Sequence, residues 1–286
     1  MLAEEVGFFL DCRPGQVILD CTLGEGGHAR RLVSRISPGG LLVGLERDGE
    51  MIPAARRALN EFSDLIRIEQ ANFADLADVL ERAGIERLDG VLFDLGVNSA
   101  QLDTPGRGFS FRLDGPLDMR MDSRTGRTAA DLINKLSRKE LEWIIREYGE
   151  ERWAGRISRR IVEERKARPI LRTGDLAEIV SRAVPGRGRT HPATRTFQAL
   201  RIYLNSELEA LQKALPRAVS LLRSGGRICV ISFHSLEDRI VKYEYRRWVQ
   251  EGALRLLNKK PVRAGNEEVQ CNPRARSAKL RAAEKL

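Results

Sequence analysis

Between residues 1 and 94 the apolar positions follow two alternating periods. Short runs rich in β-branched residues and leucine, at 17–20, 41–45, 66–69 and 90–93, are separated by stretches at 29–36, 50–62 and 74–83 in which apolar residues recur every three or four positions. The first period predicts strands and the second amphipathic helices, and their alternation predicts a parallel sheet covered by helices. After Asp94 the alternation stops. A Gly-, Pro- and Asp-rich segment at 96–126 leads into helical spacing at 129–136, 138–165 and 175–183. The first pattern then resumes: a helix at 207–222, a Gly225-Gly226 turn, a buried-type strand at 227–232 and a helix at 236–250, with an edge strand at 278–283. The expected organisation is an α/β core formed by 1–103 and 207–286, ending in a basic tail, with a mainly helical insertion at 104–206.

Composition adds a partner class to this outline. The 286 residues are 42% hydrophobic and 31% charged, enough for a sizeable core. Forty-nine Lys and Arg against 40 Asp and Glu give a net charge of +9, which favours a polyanion such as nucleic acid; a basic surface kept for solubility is the alternative. Cys12, Cys21, Cys229 and Cys271 show neither a close pair nor zinc-ligand spacing, so free thiols and no metal are expected. No apolar stretch reaches membrane-spanning length and no signal peptide is apparent, so the expected location is the cytoplasm.

Candidate chemistry begins at the end of the first strand. Asp20-Cys21-Thr22-Leu23-Gly24-Glu25-Gly26-Gly27-His28 joins it to the first helix, where a doubly wound fold binds nucleotide-like ligands. Gly24, Gly26 and Gly27 let a ligand approach the backbone, and the helix start offers free amides. The glycines alone fit NAD as well as S-adenosylmethionine. Asp20 tips the balance, since a carboxylate suits the amino group of a methionine moiety and repels a pyrophosphate. Glu46, ending the second strand, has the position and charge to accept ribose hydroxyls. Phe73 is a candidate cover for an adenine ring, with ordinary core packing as the alternative, and Asp94 ends the fourth strand beside the expected crevice. From Ser181 to Ser206 no carboxylate occurs, while Arg182, Arg187, Arg189, Arg195 and Arg201 gather around His191, a pattern that reads as a phosphate-binding surface. Residues 255–286 carry nine Lys or Arg against three Glu and form a candidate second contact.

Several longer strings are more specific. DLGVNSAQL at 94–102, RGFSFRLDGPLDMRMD at 107–122, YGEERWAGRI at 148–157, HPATRTFQALRIYLNSEL at 191–208, ISFHSLEDRIVK at 231–242 and NPRARSAKLRAAE at 272–284 occur in order along nearly the whole chain. Together they resemble the bacterial 16S rRNA (cytidine N4)-methyltransferase family known as RsmH or MraW. The resemblance implies a Rossmann-like class I S-adenosylmethionine-dependent methyltransferase fold and a cofactor site of Gly26, Gly27, His28, Glu46, Phe73, Asp94 and Gln101. It also implies as substrate the exocyclic N4 amine of a cytidine in the decoding (P-site) region of 16S rRNA, in the assembled small subunit, with the oligomeric state left open between monomer and homodimer. Gln101 rests on the resemblance alone, and without it His28 would read as a helix cap. The family's usual His-x-Pro-Val-type opening has no counterpart ahead of Met1; position 46 is Glu where Asp is commoner, and Asn98 replaces a common Ser.

A cytosine amine is a poor nucleophile because its lone pair is delocalised into the ring, so acceptors for its N–H groups would assist it. The Asp/Asn-Pro-Pro-aromatic motif of many amino-methyltransferases is absent after the fourth strand. The candidates for orienting the amine are therefore Asn98, Ser99 or nearby backbone carbonyls, with Asp114 and Asp118 as further candidates for which turn chemistry is the alternative. Phe109 and Phe111 suit stacking on an extruded base, core packing being the alternative for one of them. Ser232-Phe233-His234-Ser235 lacks an acidic partner at the spacing a hydrolase triad needs. Two readings compete with methyl transfer: a nicotinamide-dependent oxidoreductase, motivated by the same glycine loop, and a non-catalytic RNA-binding assembly protein, motivated by the basic segments.

Overall fold

The computed structural model describes residues 1–124, 126–185 and 190–286. They form two compact units: 1–96 with 208–286, and 97–207. The chain thus leaves the first unit at Val97 rather than at residue 104. Val97 and Leu102 pack against the apolar core of the second unit, which draws this short stretch out of the sheet domain.

The first unit is built on a seven-stranded sheet of β1 (Val17–Asp20), β2 (Leu41–Glu46), β3 (Ile66–Gln70), β4 (Leu88–Asp94), β5 (Leu222–Ser232), β6 (Leu254–Leu256) and β7 (Lys279–Lys285). Its order is β3-β2-β1-β4-β5-β7-β6. The first five strands run parallel, whereas β7 is antiparallel to both β5 and β6. This is the Rossmann-like arrangement of class I methyltransferases, and the order reverses between β1 and β4, where ligands of open α/β sheets bind. β7 is an interior strand, not the edge strand expected for 278–283. The unnoticed β6 takes the edge, being only three residues long and carrying Arg255 toward solvent. Gly225 and Gly226 lie inside β5, at an irregularity where the pairing with β4 steps from Leu88↔Leu222 to Gly90↔Arg227. The expected separate turn there is replaced by a bulged strand, which Gly225 permits by its φ of 79°.

Helix α1 (Ala3–Leu10) precedes β1, and α2 (Gly27–Ile36) follows it. Ala29, Leu32, Val33 and Ile36 face the sheet and are fully or almost fully buried, while Arg30 and Arg31 point to solvent. Each buried Leu or Ile on this stripe contributes about 1.5–3 kcal/mol by leaving water. The helix expected at 50–62 is interrupted: α3 (Ile52–Ala58) gives way to a 3₁₀ turn at Asn60–Leu65, with Phe62 in non-helical geometry. Helix α4 (Leu76–Arg82) completes this half of the unit.

The second unit holds α5 (Ser99–Asp103), α6 (Ala129–Lys135), α7 (Arg138–Gly149), α8 (Ala154–Glu164), α9 (Thr173–Ala183) and α10 (Thr194–Asn205). The single helix expected over 138–165 is broken. Glu150 adopts left-handed geometry at φ 46°, and a Cβ on Gly149 would lie 2.7 Å from the Arg195 carbonyl oxygen, so close packing of α7 on α10 both needs the glycine and ends the helix. α10 itself was not expected. Its inner face buries Phe197, Ala199, Leu200 and Ile202, which the basic character of its sequence obscures.

Helices α11 (Glu207–Leu221) and α12 (Ser235–Gln250) flank β5 in sequence. His234 caps α12: its Nδ1 accepts from the Glu237 N–H, while the Glu237 carboxylate accepts from the Phe233 and His234 N–H groups. The SFHS segment is thus a helix start, which accounts for its residues without a nucleophile. All four cysteines are free thiols. Among the described residues no helix is long and apolar enough to cross a membrane.

Candidate cofactor and substrate sites

Strands β1 and β4 pair in parallel, and Asp20 lies opposite Leu92, so Asp20 and Asp94 end adjacent strands at the carboxyl edge of the sheet. Thr22 joins them, its Oγ1 accepting from the Asp94 N–H at 2.6 Å. Sequence reasoning missed this residue, and a threonine two positions past a strand end gives no distinctive signal. The glycine loop is held to β2 through Glu46, whose two carboxylate oxygens accept from the Gly24 and Asp48 N–H groups at 2.7 Å each. A carboxylate has about four lone-pair positions, so each oxygen keeps one for a further donor. Gly26 begins α2 at φ 87°, and a Cβ there would strike Leu59, whereas a Cβ on Gly27 would meet nothing within 4 Å. The backbone at Gly27 therefore faces open space.

Three buried polar atoms of this crevice lack hydrogen-bond partners: Asp20 Oδ2, His28 Nε2 and Asp94 Oδ1. His28 Nε2 lies 3.4 Å from Asp94 Oδ2. Burial pushes the Asp20 carboxyl up to about 6, tempered by the neighbouring His28 and the Thr22 N–H. Burial likewise pushes Glu46 up to about 7, against the lowering effect of its two backbone donors. Unmet buried polar atoms cost about 1–3 kcal/mol each, so three together point to a ligand that brings donors or positive charge. Phe73, half-buried after β3, meets Phe93 edge-on at a centroid distance of 5.6 Å and is held in place by that contact.

In the second unit, Asn98 and Gln101 form a reciprocal cap on α5. The Asn98 side chain accepts from the Gln101 N–H at 2.8 Å, and the Gln101 side chain accepts from the Asn98 N–H at 3.2 Å. Gln101 is buried, while Ser99 is exposed. Asp114 accepts from the Gly174 N–H at 2.9 Å and from Arg172 Nε at 2.6 Å. These partners, Gly174 first, hold its carboxyl below the ordinary range. Asp118 accepts a two-pronged contact from Arg120 at 2.8 and 2.9 Å. Burial would raise its pKa, but the hydrogen bonds and charge of Arg120 outweigh that and lower it. Asp118 is therefore occupied within its own loop, and Asp114 ties that loop to the start of α9.

Phe109 is buried in the apolar core of this unit, with Arg107 over its ring at 5.8 Å. Phe111 is only partly buried. It stacks on His191 with centroids 4.5 Å apart and meets Phe197 edge-on. Of the arginines grouped by sequence, Arg201 makes a nearly buried pair with Glu207 at 2.8 Å, Arg182 pairs with Glu178, and Arg195 donates to the Glu150 carbonyl at 2.8 Å. Arg187 and Arg189 lie outside the described residues.

Comparison with known proteins gives this arrangement its family. The model of the "MraW methylase family" matches residues 1–286. The protein "Ribosomal RNA small subunit methyltransferase H" of Trichlorobacter lovleyi is 52% identical over 100% of this chain and 97% of its own length. The proteins of the same name from Pelobacter propionicus and Geobacter sulfurreducens are 51% and 50% identical, over 97% and 98% of their lengths. The chain belongs to the MraW methylase family.

S-adenosylmethionine, the cofactor of this methylase family, fits the crevice by its donor set. It carries an ammonium group and ribose hydroxyls, donors of the kind that the unpartnered Asp20 and Asp94 oxygens and the lone pairs left on Glu46 would accept. A dinucleotide would bring its pyrophosphate against the same carboxylates, which disfavours the nicotinamide reading.

Proposed function

We propose that this chain transfers a methyl group from S-adenosylmethionine to the exocyclic N4 amine of one cytidine in the decoding (P-site) region of 16S rRNA, acting on the assembled small subunit. The observation that carries the reading is the carboxylate-lined crevice between β1 and β4, with its unpartnered Asp20 and Asp94 oxygens, in a chain that belongs to a methylase family. The names of the relatives supply the small-subunit rRNA, the motif resemblance supplies the cytidine amine, and the net charge of +9 suits a polyanionic substrate.

When bound, S-adenosylmethionine supplies an electrophilic methyl group on sulfur. The protein's task is then mainly alignment of the amine with the S–C bond. Asp20, Glu46 and Asp94 would hold the cofactor's polar ends, His28 and the Gly26-Gly27 backbone would bound its approach, and Phe73 would cover the adenine. Asn98 has one carboxamide lone pair committed to α5, which with Gln101 fixes the start of that helix, and keeps the other for a further donor. Asn98, the exposed Ser99 hydroxyl and the carbonyls of this stretch are the groups placed to accept from the amine. The partly exposed face built by Phe111 on His191 offers the stacking surface for the base, and Arg195 with Arg187 and Arg189 supplies positive charge for phosphates, while Phe109 is buried in the core. Asp114 and Asp118 shape the loop that presents these rings.

Transfer of labelled methyl from S-adenosylmethionine to under-modified small subunits, followed by nucleoside digestion, tests the proposal. Label in N4-methylcytidine is the expected product. Label in a different nucleoside would replace the cytidine reading, and no label with intact protein would remove the activity altogether.

A further inference from the structure

Outside the crevice, the first unit contains a second concavity that the methyl-transfer site does not use. It measures about 230 Å³ and is lined by Lys242, Arg246, Lys259, Lys260 and Arg281 together with Tyr245, Leu256, Asn258 and Pro261. Five cations therefore converge from α12, the turn at 259–260 and β7. Asp238, one turn before Lys242 on α12, is taken up by Lys279 at 3.1 Å and Arg281 at 2.8 Å. Lys242, Arg246, Lys259 and Lys260 have no ion-pair partner among the described residues. Charge gathered this closely without neutralisation raises the energy of the free protein and creates a local attraction for anions.

The concavity is also held in shape. Asn258 donates through Nδ2 to the carbonyls of Lys260 and Leu280, at 3.0 and 2.9 Å, and accepts through Oδ1 from the Ala282 N–H at 2.7 Å. Val262 pairs with Leu280 just beyond. The turn that carries Lys259 and Lys260 is thus pinned to β7, and its backbone needs no further ordering on binding. Outside the concavity, next to Lys242 on α12, the Tyr243 ring is 59% exposed with the Lys242 ammonium 6.0 Å from its centroid, a ring on which an unpaired base can stack.

We propose that this concavity is a second RNA-docking site, which takes backbone phosphates of the substrate RNA on Lys242, Arg246, Lys259 and Lys260, with Tyr243 stacking an adjacent unpaired base. The site rests on the RNA-methylating function proposed above and adds to it an anchor away from the methyl-transfer crevice.

The test measures affinity for 16S rRNA as a function of salt, using the full chain and two paired variants, Lys259→Ala with Lys260→Ala and Lys242→Ala with Arg246→Ala. The exposed pair Arg56→Ala with Arg57→Ala on α3 serves as an equal loss of charge elsewhere. Each phosphate contact contributes about 0.7–0.9 to the slope of log affinity against log salt, so each pocket variant is expected to lose about 1.4–1.8 from that slope and about 10- to 30-fold in affinity near 0.1 M salt. Cofactor affinity stays unchanged, and the α3 control keeps the wild-type slope. Pocket variants with the wild-type slope, or a control that loses as much, overturn the site alone. Inorganic phosphate that displaced the RNA better than chloride at equal ionic strength would mark the concavity as a free-anion site and overturn the RNA assignment. A wild-type chain with no salt-sensitive RNA affinity would overturn the site together with the RNA part of the function. Slope losses as expected, with methyl transfer to a nucleoside other than cytidine, would sink only the cytidine reading.

Discussion

The end of the sheet and the loop at 107–122 are both rich in carboxylates, yet they hold them in opposite ways. Asp114 and Asp118 have each found cationic or backbone donors within their own unit. Asp20 and Asp94 each keep a buried oxygen without a hydrogen-bond donor at the carboxyl edge of the sheet. A satisfied carboxylate stabilises the fold. An unsatisfied buried one is retained at a cost in stability and is explained only by what binds there. The same residue type thus reads as structure in one unit and as a binding site in the other, and the difference lies in hydrogen-bond accounting, which sequence spacing does not reveal.

The contrast breaks most readily at Asp94. Asp94→Ala is expected to lower methyl transfer on the order of 100-fold while the protein stays folded, since the side chain contributes ligand contacts and little to packing. Circular dichroism beside a transfer assay checks both halves. A variant that unfolds would place Asp94 with the structural carboxylates.

Asp20→Asn comes next. It keeps an acceptor for the Thr22 N–H and removes a buried charge, so S-adenosylmethionine affinity should fall about 10- to 100-fold while the cofactor-free protein melts at the same temperature or higher. Calorimetric titration and thermal melts report the two numbers. A lower melting temperature with unchanged cofactor affinity would reverse the assignment.

pH sharpens the comparison further. The folded pKa values of Asp20 and Glu46 are raised, to about 6 and about 7, so their protonated forms favour folding. That contribution is complete below about pH 4 and is lost as pH rises through those values. Cofactor binding runs the other way, because the ammonium group prefers ionised Asp20. S-adenosylmethionine affinity should therefore increase about tenfold from pH 5 to pH 8, with the lower part of the rise missing in Asp20→Asn. A flat profile in wild type would show that neither carboxyl titrates in the ligand-free crevice.

The smallest effect is expected at Asp118. Asp118→Asn removes the charge that Arg120 holds and should cost about 1–3 kcal/mol of stability, with transfer per folded molecule within about threefold of wild type. Denaturant melts and rates corrected for the folded fraction check this. Lost transfer at full stability would move Asp118 into the reaction.

Much of this molecule was legible in its sequence because the core repeats two simple periods. β1, β2 and β4 are buried on both faces and so read as continuous apolar runs, and the Asp20-to-His28 loop declares itself through glycines placed directly after a strand. Other features are hidden for identifiable reasons. The break between α7 and α8 depends on the Arg195 carbonyl approaching Gly149, a contact across 46 residues that helical periodicity cannot register. The arginine-rich stretch ending at Ser206 looks like one charged surface, but α10 turns its apolar residues inward, and Glu207, just past that stretch, neutralises Arg201. β7 lies inside the sheet only because β6, too short to show a pattern, pairs with its outer edge. The basic concavity was half visible as a charged tail; α12 contributes the other half, and only the fold brings the two together.

The most direct test of the whole account is nucleoside mass spectrometry of 16S rRNA from cells that lack this gene and are complemented with wild type or with Asp94→Ala. The account predicts that N4-methylcytidine at one decoding-region position disappears without the gene, returns with wild type and does not return with Asp94→Ala. Full restoration by Asp94→Ala, or a modification profile that never changes, would contradict it.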